Sequence, residues 1–273
     1  MMKISLTGVS VASRDLNVIS NNLANAMTTG FKRSISQIND FVASSQSGRP
    51  DIEVGQGALT QEVRRSLQQG ALQQTDNKMD LALSGAGYFT FGDAATTGDM
   101  AYKYSRAGKL SLDATGAITD QGGSPLLGLP VMSGGVIGMT PQPINVSSAV
   151  GGDLTKIQSI SIDTHGVVSV QSVDGRTTKV AALAIANFRN EQGLKSIGGA
   201  QLTETDNSGA PEYSQAGRNG MGEIKQGTLE TSNVDMTGEM LRMIQAQQAY
   251  NGNARALQTT SEMLRSTIET LTR

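Results

Sequence analysis

Apolar residues recur at helical spacing at both ends of this chain. Steps of three and four residues lead from Met2 through Leu16 to Ala26 and meet one polar residue on the way. A longer series runs from Met240 to Leu271, and eight of its ten positions are apolar, alanine or tyrosine. This spacing predicts two amphipathic helices with coiled-coil-like seams.

The segment before the second series has the residues of a helix start. Asp235 or Thr237 can cap the helix, and Glu239 then lies in its first turn, where the helix dipole favours a carboxylate. At the other end of the chain, Gly30 follows the first series and can take the left-handed conformation that ends a helix.

The pattern between the two ends has a period of two, which indicates strands. Residues 109–120 alternate, turn at DATG and resume, and residues 159–185 carry two more turns, at DTHG and VDGR. A short motif also repeats, since QGAL at 69–72 is echoed by QGTL at 226–229. The echo predicts two antiparallel connecting arms on either side of an inserted domain.

Together these patterns predict an α+β fold with discontinuous terminal helices that form a coiled-coil-like pair. We expect an N-terminal helix of the inner core domain at 1–35 and a connecting arm at 36–76. A β-rich outer domain should occupy 77–225, and a returning arm and C-terminal helix 226–273. The seam residues of two such helices bury too little apolar surface to offset the entropy of ordering them. We therefore infer that the ends are ordered by packing against copies of the chain or its relatives.

Composition narrows the function. The net charge of −2 gives no electrostatic basis for binding nucleic acid or inserting into an anionic membrane. The absence of cysteine excludes disulfides and thiolate sites. The first residues lack the apolar core of a cleaved signal peptide, and no stretch of about 18 apolar residues indicates a membrane span.

The sequence offers little that suggests chemistry. The single histidine, His165, lies in the DTHG turn, where a solvated side chain is expected. Gly85 and Gly87 are too few for a dinucleotide-binding loop and indicate a tight turn instead. Asp76 and Asp80 flank Lys78 on an expected surface strand. We predict no enzyme activity, no catalytic, cofactor-binding or metal-binding residues, and no cofactor.

Asparagines cluster at the end of the first helix, although asparagine is a poor residue inside a helix. In one interpretation, Asn21, Asn22 and Asn25 form hydrogen bonds with backbone groups of a neighbouring helix once an assembly is closed. In the other, they are only solvent-exposed side chains at a fraying helix end. Both interpretations stay open on the residues alone.

Three blocks of the chain carry a family resemblance. ISNNLANAMTTGFKR at 19–33 resembles the N-terminal signature NNxANxxTxGFK of the bacterial flagellar axial proteins, the rod and hook family. Every fixed position is met, by Asn21, Asn22, Ala24, Asn25, Thr28, Gly30, Phe31 and Lys32. Residues 68–89 resemble the family's central block, and residues 226–250 its C-terminal block. The blocks keep the family's order, and the departures, Tyr88 and Gln248, are small.

The resemblance implies a structural subunit of the flagellar rod that polymerises through its terminal helices into a helical tube. The tube would transmit torque and enclose the export channel. Expected partners are copies of the chain, other rod and hook proteins, the export apparatus and the ring proteins around the rod. The expected location is the basal body, spanning the periplasm, after export by the flagellar type III system without a cleaved signal peptide.

Three alternatives remain: a short hook subunit, a peptidoglycan hydrolase built on the β-domain, and a monomeric binding module. For the rod interpretation, subunit assembly is assigned to Leu16, Ile19, Asn21, Asn22, Asn25, Phe31, Met243, Tyr250, Leu257, Leu264 and Ile268.

Overall fold

The protein combines two terminal helices with a β-rich middle, which confirms the α+β class. The computed structural model describes residues 2–42, 55–92, 101–131, 138, 140–147 and 153–271. The chain divides into two compact units. Unit 1 comprises residues 1–26, 33–66 and 234–273, and unit 2 comprises residues 27–32 and 67–233.

Unit 1 contains helices α1 (Met2–Ala24) and α2 (Met236–Leu271) and the antiparallel strands β1 (Ser34–Val42) and β2 (Gly55–Arg65). Asn22 of α1 contacts Glu239 of α2, and Gly8, fourteen residues earlier in α1, contacts Asn253, fourteen residues later in α2. The two helices therefore run antiparallel. A Cβ atom on Gly8 would lie 2.7 Å from the Asn253 carboxamide, so the missing side chain allows the helices to approach.

The start of α2 follows the sequence signals. The Thr237 N–H donates to Asp235 Oδ1 at 3.1 Å, and the Glu239 N–H donates to the Asp235 carbonyl at 2.9 Å. Asp235, one of the two predicted candidates, therefore caps α2. At the end of α1, Asn25 Nδ2 donates to the Asn21 carbonyl at 2.9 Å. Gly30 has the expected positive φ of 70°, but it lies in the loop beyond the helix end.

Unit 2 consists of short antiparallel strands. Their bounds are β3 (Leu72–Gln74), β4 (Leu81–Ser84), β5 (Tyr88–Gly92), β6 (Tyr102–Ser105), β7 (Ser111–Leu112), β8 (Ile118–Thr119), β9 (Leu127–Pro130), β10 (Gln142–Pro143), β11 (Ile157–Ile162), β12 (Val167–Ser172), β13 (Thr177–Leu183), β14 (Ile185–Asn187), β15 (Lys195–Gly198), β16 (Gln201–Thr203), β17 (Glu212–Ser214), β18 (Glu223–Gln226) and β19 (Thr228–Glu230).

These strands form two larger sheets and three short ladders. The first sheet has the order β10-β9-β13-β12-β11 and the second β15-β16-β6-β5-β14-β17. The ladder of β3 with β19 is antiparallel and pairs Leu72 with Glu230. The predicted hairpins also form, with Leu112 opposite Ile118 and turns that join β11, β12 and β13.

Two buried clusters hold unit 2 together. The larger cluster is aliphatic with two phenylalanines, Phe89 and Phe91. The smaller one is aromatic, and in it Tyr104 lies 4.7 Å from Phe188 in an edge-to-face arrangement. Gly85 and Gly87, with φ of 123° and 116°, form the expected tight turn, since a Cβ atom on either would meet packed neighbours.

The segment expected as a connecting arm at 36–76 contains β2 and most of β1, both strands of unit 1. Residues 34–42 and 55–65 pair as a ribbon with irregularities after Gln37 and between Asp40 and Val42. Among the residues that the structure describes, neither helix has a continuous apolar stretch that could cross a bilayer.

Candidate assembly surface

The line of α2 that faces the rest of unit 1 is offset from the predicted seam. Its buried and half-buried positions between 239 and 260 lie along one side of the helix and are Glu239, Met243, Ala246, Asn253, Ala254, Leu257 and Thr260. Met243 and Leu257 belong to the predicted seam as well. Tyr250 lies on the same line and is 38% exposed, whereas Met240 is 49% exposed and lies outside it.

The predicted assembly residues of the N-terminal segment differ in burial. Ile19 and Asn22 are buried inside unit 1, Leu16 and Asn25 are half-buried, and Asn21 is exposed. Phe31 is half-buried in the loop at 27–32, which belongs to unit 2. The structure therefore places only part of this set on a surface.

Asn22 is tied to a strand and to the other helix of its own chain. Its Nδ2 donates to the Ser34 carbonyl at 2.7 Å, and its Oδ1 accepts from the Ser34 N–H at 2.8 Å. Nδ2 also donates to Glu239 Oε2 at 3.1 Å. The amide does satisfy backbone groups, but they belong to β1 of the same subunit rather than to a neighbouring helix.

Glu239 is the acidic end of this tie. Its side chain is 2% exposed, and the Arg33 and Arg242 guanidinium nitrogens lie 3.6 and 3.5 Å from Oε1. Oε1 accepts no hydrogen bond within the described residues. The two guanidinium groups offset part of the cost of burying this carboxylate.

A groove of about 420 Å³ opens beside this carboxylate, between α1, β1 and α2. Six of its twelve lining residues are polar, namely Asp15, Ser34, Ser36, Glu239, Arg242 and Gln245. Asp15 Oδ1 already accepts from the Ser36 hydroxyl at 2.6 Å. The apolar lining residues are Val18, Ile19, Ile35, Ile38, Ala246 and Ala249. We call this space the unit 1 groove.

The loop at 27–32 is held within unit 2 by its backbone. The Gly30 N–H donates to the Glu230 carbonyl at 2.8 Å, and the Phe31 carbonyl accepts from the Asn233 N–H at 3.3 Å. A Cβ atom on Gly30 would lie 2.5 Å from the Ala107 nitrogen, and the φ of 70° already disfavours other residues. The glycine of the signature is thus required by a close backbone approach.

A buried ion cluster holds the last residue of this loop. Lys32 Nζ lies 2.5 Å from Glu230 Oε1 and donates to the Gln68 carbonyl at 2.7 Å. Arg106 Nη1 lies 3.5 Å from Glu230 Oε2, and the Gly70 N–H donates to Oε1 at 2.9 Å. Burial lowers the pKa of Lys32, and the hydrogen bond to Glu230 opposes that change.

The helix pair leaves large apolar side chains on its surface. Leu241 is 58% exposed, and it follows Glu239 by two residues, which places it roughly 200° around α2 from the buried carboxylate. Ile244 lies on the same outer face, and Met263, Leu264 and Ile268 are exposed near the helix end. Large contiguous apolar patches on a protein surface are typical of interaction sites.

A helix pair with an apolar outer face and buried polar ties is the arrangement of an assembling structural protein. Three models of flagellar protein families match the chain. They describe the flagella basal body rod protein at residues 2–32, the flagellar hook protein FlgE/F/G D1 domain at 82–170, and the flagellar basal body rod FlgEFG protein C-terminal region at 225–270. The chain belongs to the flagellar basal-body rod protein family.

Curated relatives agree over almost the full length. The flagellar basal-body rod protein FlgG of Buchnera aphidicola from Acyrthosiphon pisum is 34% identical over 96% of this chain and 95% of its own. FlgG of Bacillus subtilis is 32% identical, with 96% of each chain covered. FlgF of Caulobacter vibrioides is 26% identical over 94% of this chain and 92% of its own. The chain is a structural rod subunit of the flagellar basal body, and the hook alternative is not favoured.

Sequence reasoning missed Arg106 and Glu230 as functional positions and did not select Lys32 from the signature. Arg106 and Glu230 lie 124 residues apart, and neither stands in a periodic pattern. The repeat of QGAL at 69–72 as QGTL at 226–229 was the signal that could have pointed to Glu230. In the structure Glu230 lies opposite Leu72 and near the loop that follows α1. Asp80, expected on a surface strand, is buried and accepts hydrogen bonds from Thr75 and Asn77.

Proposed function

We propose that this rod subunit polymerises through α1 and α2 into a helical tube that transmits torque and encloses the export channel. The apolar outer face of α2 is the observation that carries the proposal. A helix that belonged only to a two-helix pair would keep its apolar residues on one stripe. The side chains of Met240, Leu241 and Ile244 lie outside that stripe and are 49, 58 and 52% exposed.

The assembly residues then divide into two groups. Ile19 and Asn22 are buried within a subunit and act by fixing α1 against its own neighbours. Residues with exposed side chains, among them Asn21, Tyr250, Leu264 and Ile268, contact other subunits. Half-buried Leu16, Asn25, Phe31, Met243 and Leu257 contribute the edges of these contacts. Torque is shared over many such interfaces, so that no single residue carries it.

The remaining parts of the proposal rest on membership in the rod family. The assembled tube spans the periplasm, meets other rod and hook proteins at its ends, and passes through the ring proteins. The subunit reaches this location through the flagellar type III export apparatus, without a cleaved signal peptide.

The outer face of α2 can be tested with a double substitution. Glutamate at both Leu241 and Ile244 should leave the helix content unchanged, because both side chains are exposed, and should abolish rod assembly. The matched control is Gln248→Glu, which adds a carboxylate at an exposed polar position of the same helix. Each variant is expressed in a strain from which the chromosomal copy of the gene has been deleted. Isolated basal bodies are examined by electron microscopy, and swimming is measured in soft agar.

We expect the control to restore rods and swimming and the double variant to be exported without incorporation. Normal rods built from a folded double variant would refute the proposal. Circular dichroism of the purified proteins separates a failure to assemble from a failure to fold.

A further inference from the structure

We infer that the repeated QG motif is one clasp used twice. Its two glutamines make the strands β4 and β11 and the ladder of β3 with β19 open as one cooperative unit. The inference concerns the inside of a single subunit and does not depend on the proposed polymerisation.

The first glutamine pairs with the edge of β4. Gln69 Nε2 donates to the Leu83 carbonyl at 2.6 Å, and its Oε1 accepts from the Gly85 N–H at 3.2 Å. The C=O of one residue and the N–H of the residue two positions later lie on the same side of an extended strand. A carboxamide has a carbonyl acceptor and N–H donors, as a peptide group does, so Gln69 takes the place of a neighbouring strand.

The second glutamine repeats this arrangement on β11. Gln226 Nε2 donates to the Ile160 carbonyl at 3.2 Å, and its Oε1 accepts from the Ile162 N–H at 3.2 Å. β11 is the last strand of its sheet, so the carboxamide lies on an edge that β12 does not pair. Nε2 also donates to the Lys78 carbonyl at 2.8 Å. One side chain therefore joins β11, the turn before β4 and the end of β18.

The ladder of β3 with β19 relates the two motifs by a local twofold. Leu72 and Leu229 are the fourth residues of the two motifs, and Leu72 pairs with Glu230 while Leu229 pairs with Gln73. Exchange of the two motifs turns the first pair into the second. The two glutamines thus occupy equivalent positions before the ladder, and each reaches a different strand.

The glycine after each glutamine is required at its place. A Cβ atom on Gly70 would collide with the Thr231 carbonyl oxygen, and Gly227 has a φ of 65°, which disfavours other residues. Both glycine N–H groups are also used, since Gly70 donates to Glu230 Oε1 at 2.9 Å and Gly227 donates to the Asp80 carbonyl at 2.8 Å. The backbone beside each glutamine is therefore held, which fixes where the side chain begins.

The two clasps act in series. Gln69 holds the segment before β3 to β4, and β4 pairs with β18, where Leu81 lies opposite Gln226. Gln226 in turn holds β11 and with it the five-stranded sheet. Contiguous ties of this kind make neighbouring segments open together, so the loss of one clasp should let one part open without the other.

Native-state hydrogen exchange of the full-length protein can test this coupling. The Thr231 N–H donates to the Ala71 carbonyl and reports on the ladder of β3 with β19. The Leu183 N–H donates to the carbonyl of Gly166, in the turn that joins β11 and β12, and reports on the five-stranded sheet. Exchange of both amides is followed by NMR at increasing urea below the unfolding midpoint, at a concentration where the parent protein sediments as a monomer.

The variants are Gln69→Ala and Gln226→Ala, and their controls are Gln73→Ala on β3 and Gln158→Ala on β11, both at exposed positions. In the parent protein the two reporter amides should exchange with the same urea dependence, through one shared opening. Gln226→Ala should speed exchange of the sheet reporter about tenfold relative to the ladder reporter, because hydrogen bonds to β11 are lost. Gln69→Ala should shift the ratio by about tenfold in the opposite direction, and the controls should change it by less than about twofold.

Equal acceleration of both reporter amides in the two variants would mean that the glutamines only add stability, and it would overturn the inference. A different urea dependence of the two amides in the parent protein, or a ratio in both variants that matches the controls, would overturn it as well. Circular dichroism confirms that each variant is folded. Should one variant fail to fold, the ratio in the other decides by the same criteria.

Discussion

Glutamine in place of Glu230 should lower the free energy of unfolding of unit 2 by about 3 to 5 kcal/mol, the cost of breaking a buried ion pair by removing one partner. The Glu230 side chain is fully buried and contacts two cations, Lys32 and Arg106, whose side chains are each 6% exposed. Glutamine keeps the shape and can still accept a hydrogen bond from Gly70. It removes the negative charge that both cations contact, and their desolvation is then no longer compensated.

The cluster contains two cations and one carboxylate, so removal of a cation should cost less. Methionine in place of Lys32 leaves the contacts of Glu230 with Arg106 and Gly70 intact. The variant loses the charged hydrogen bond to Glu230 and the hydrogen bond to the Gln68 carbonyl. This should lower the free energy of unfolding by about 1 to 3 kcal/mol. The double variant should cost less than the sum of the two single changes, because each removes the same contact.

Urea unfolding followed by circular dichroism and tyrosine fluorescence measures these differences, since unit 2 contains tyrosines and the chain has no tryptophan. The control is Asp153→Asn, which breaks the exposed pair with Lys156 in the same unit and should cost less than about 1 kcal/mol. The reasoning would be refuted if Glu230→Gln cost no more than the control, or less than Lys32→Met.

Two further results are expected. Alanine in place of Asn22 should destabilise unit 1 by about 2 to 4 kcal/mol, because the Ser34 backbone and Glu239 lose a buried partner. The control Asn21→Ala should change the free energy of unfolding by no more than about 0.5 kcal/mol. Urea unfolding measures both changes. Burial raises the pKa of Tyr213 to about 12, so an unfolded chain releases this proton near pH 10 while the folded chain keeps it. Tyr213 should therefore contribute a fall in stability of up to about 1.4 kcal/mol per pH unit between pH 10 and 12, and Tyr213→Phe should make the total fall shallower in chemical unfolding at each pH.

The sequence predicted the secondary structure where local pattern decides it. Both helices follow a period near 3.5, the cap at Asp235 follows from residue type, and the hairpins follow from glycine turns within alternating segments. The pairing of the two arms followed from a repeated motif. Each of these features depends on neighbours in sequence or on self-similarity, and both are visible in one chain.

The face of α2 that packs inward could not be predicted from apolar periodicity alone. The predicted series used Met240, while the structure buries Glu239 one position away. The polar Glu239 lies inside because α1 presents Asn22 to it, and Asn253 is half-buried because α1 presents Gly8. A count of apolar residues assigns polar positions to the outside, so the predicted series begins at Met240 and not at Glu239, although it shares Met243 and Leu257 with the buried line.

The ribbon of β1 and β2 escaped prediction for a related reason. Its strands carry many polar residues, among them Ser34, Ser36 and Gln37 in β1 and Gln56, Gln61 and Glu62 in β2, and irregular pairing after Gln37 interrupts the alternation. The strand beginning at Ser34 is tied to α1 by Asn22, a contact between elements that composition does not reveal. Polar strands of this kind were predicted only as a connecting arm.

The two buried ties give the N-terminal signature a common physical role. Asn22 is bound by Glu239 in unit 1, and Lys32 is bound by Glu230 in unit 2. Ten residues separate the two signature side chains, and nine separate the two carboxylates. A slip of either segment by one residue would leave a buried amide or a buried charge without its partner, a penalty that apolar seams do not impose. We infer that these ties fix the register between the two ends of the chain inside each subunit. The exposed apolar positions Leu241, Ile244 and Leu264 take no part in these ties.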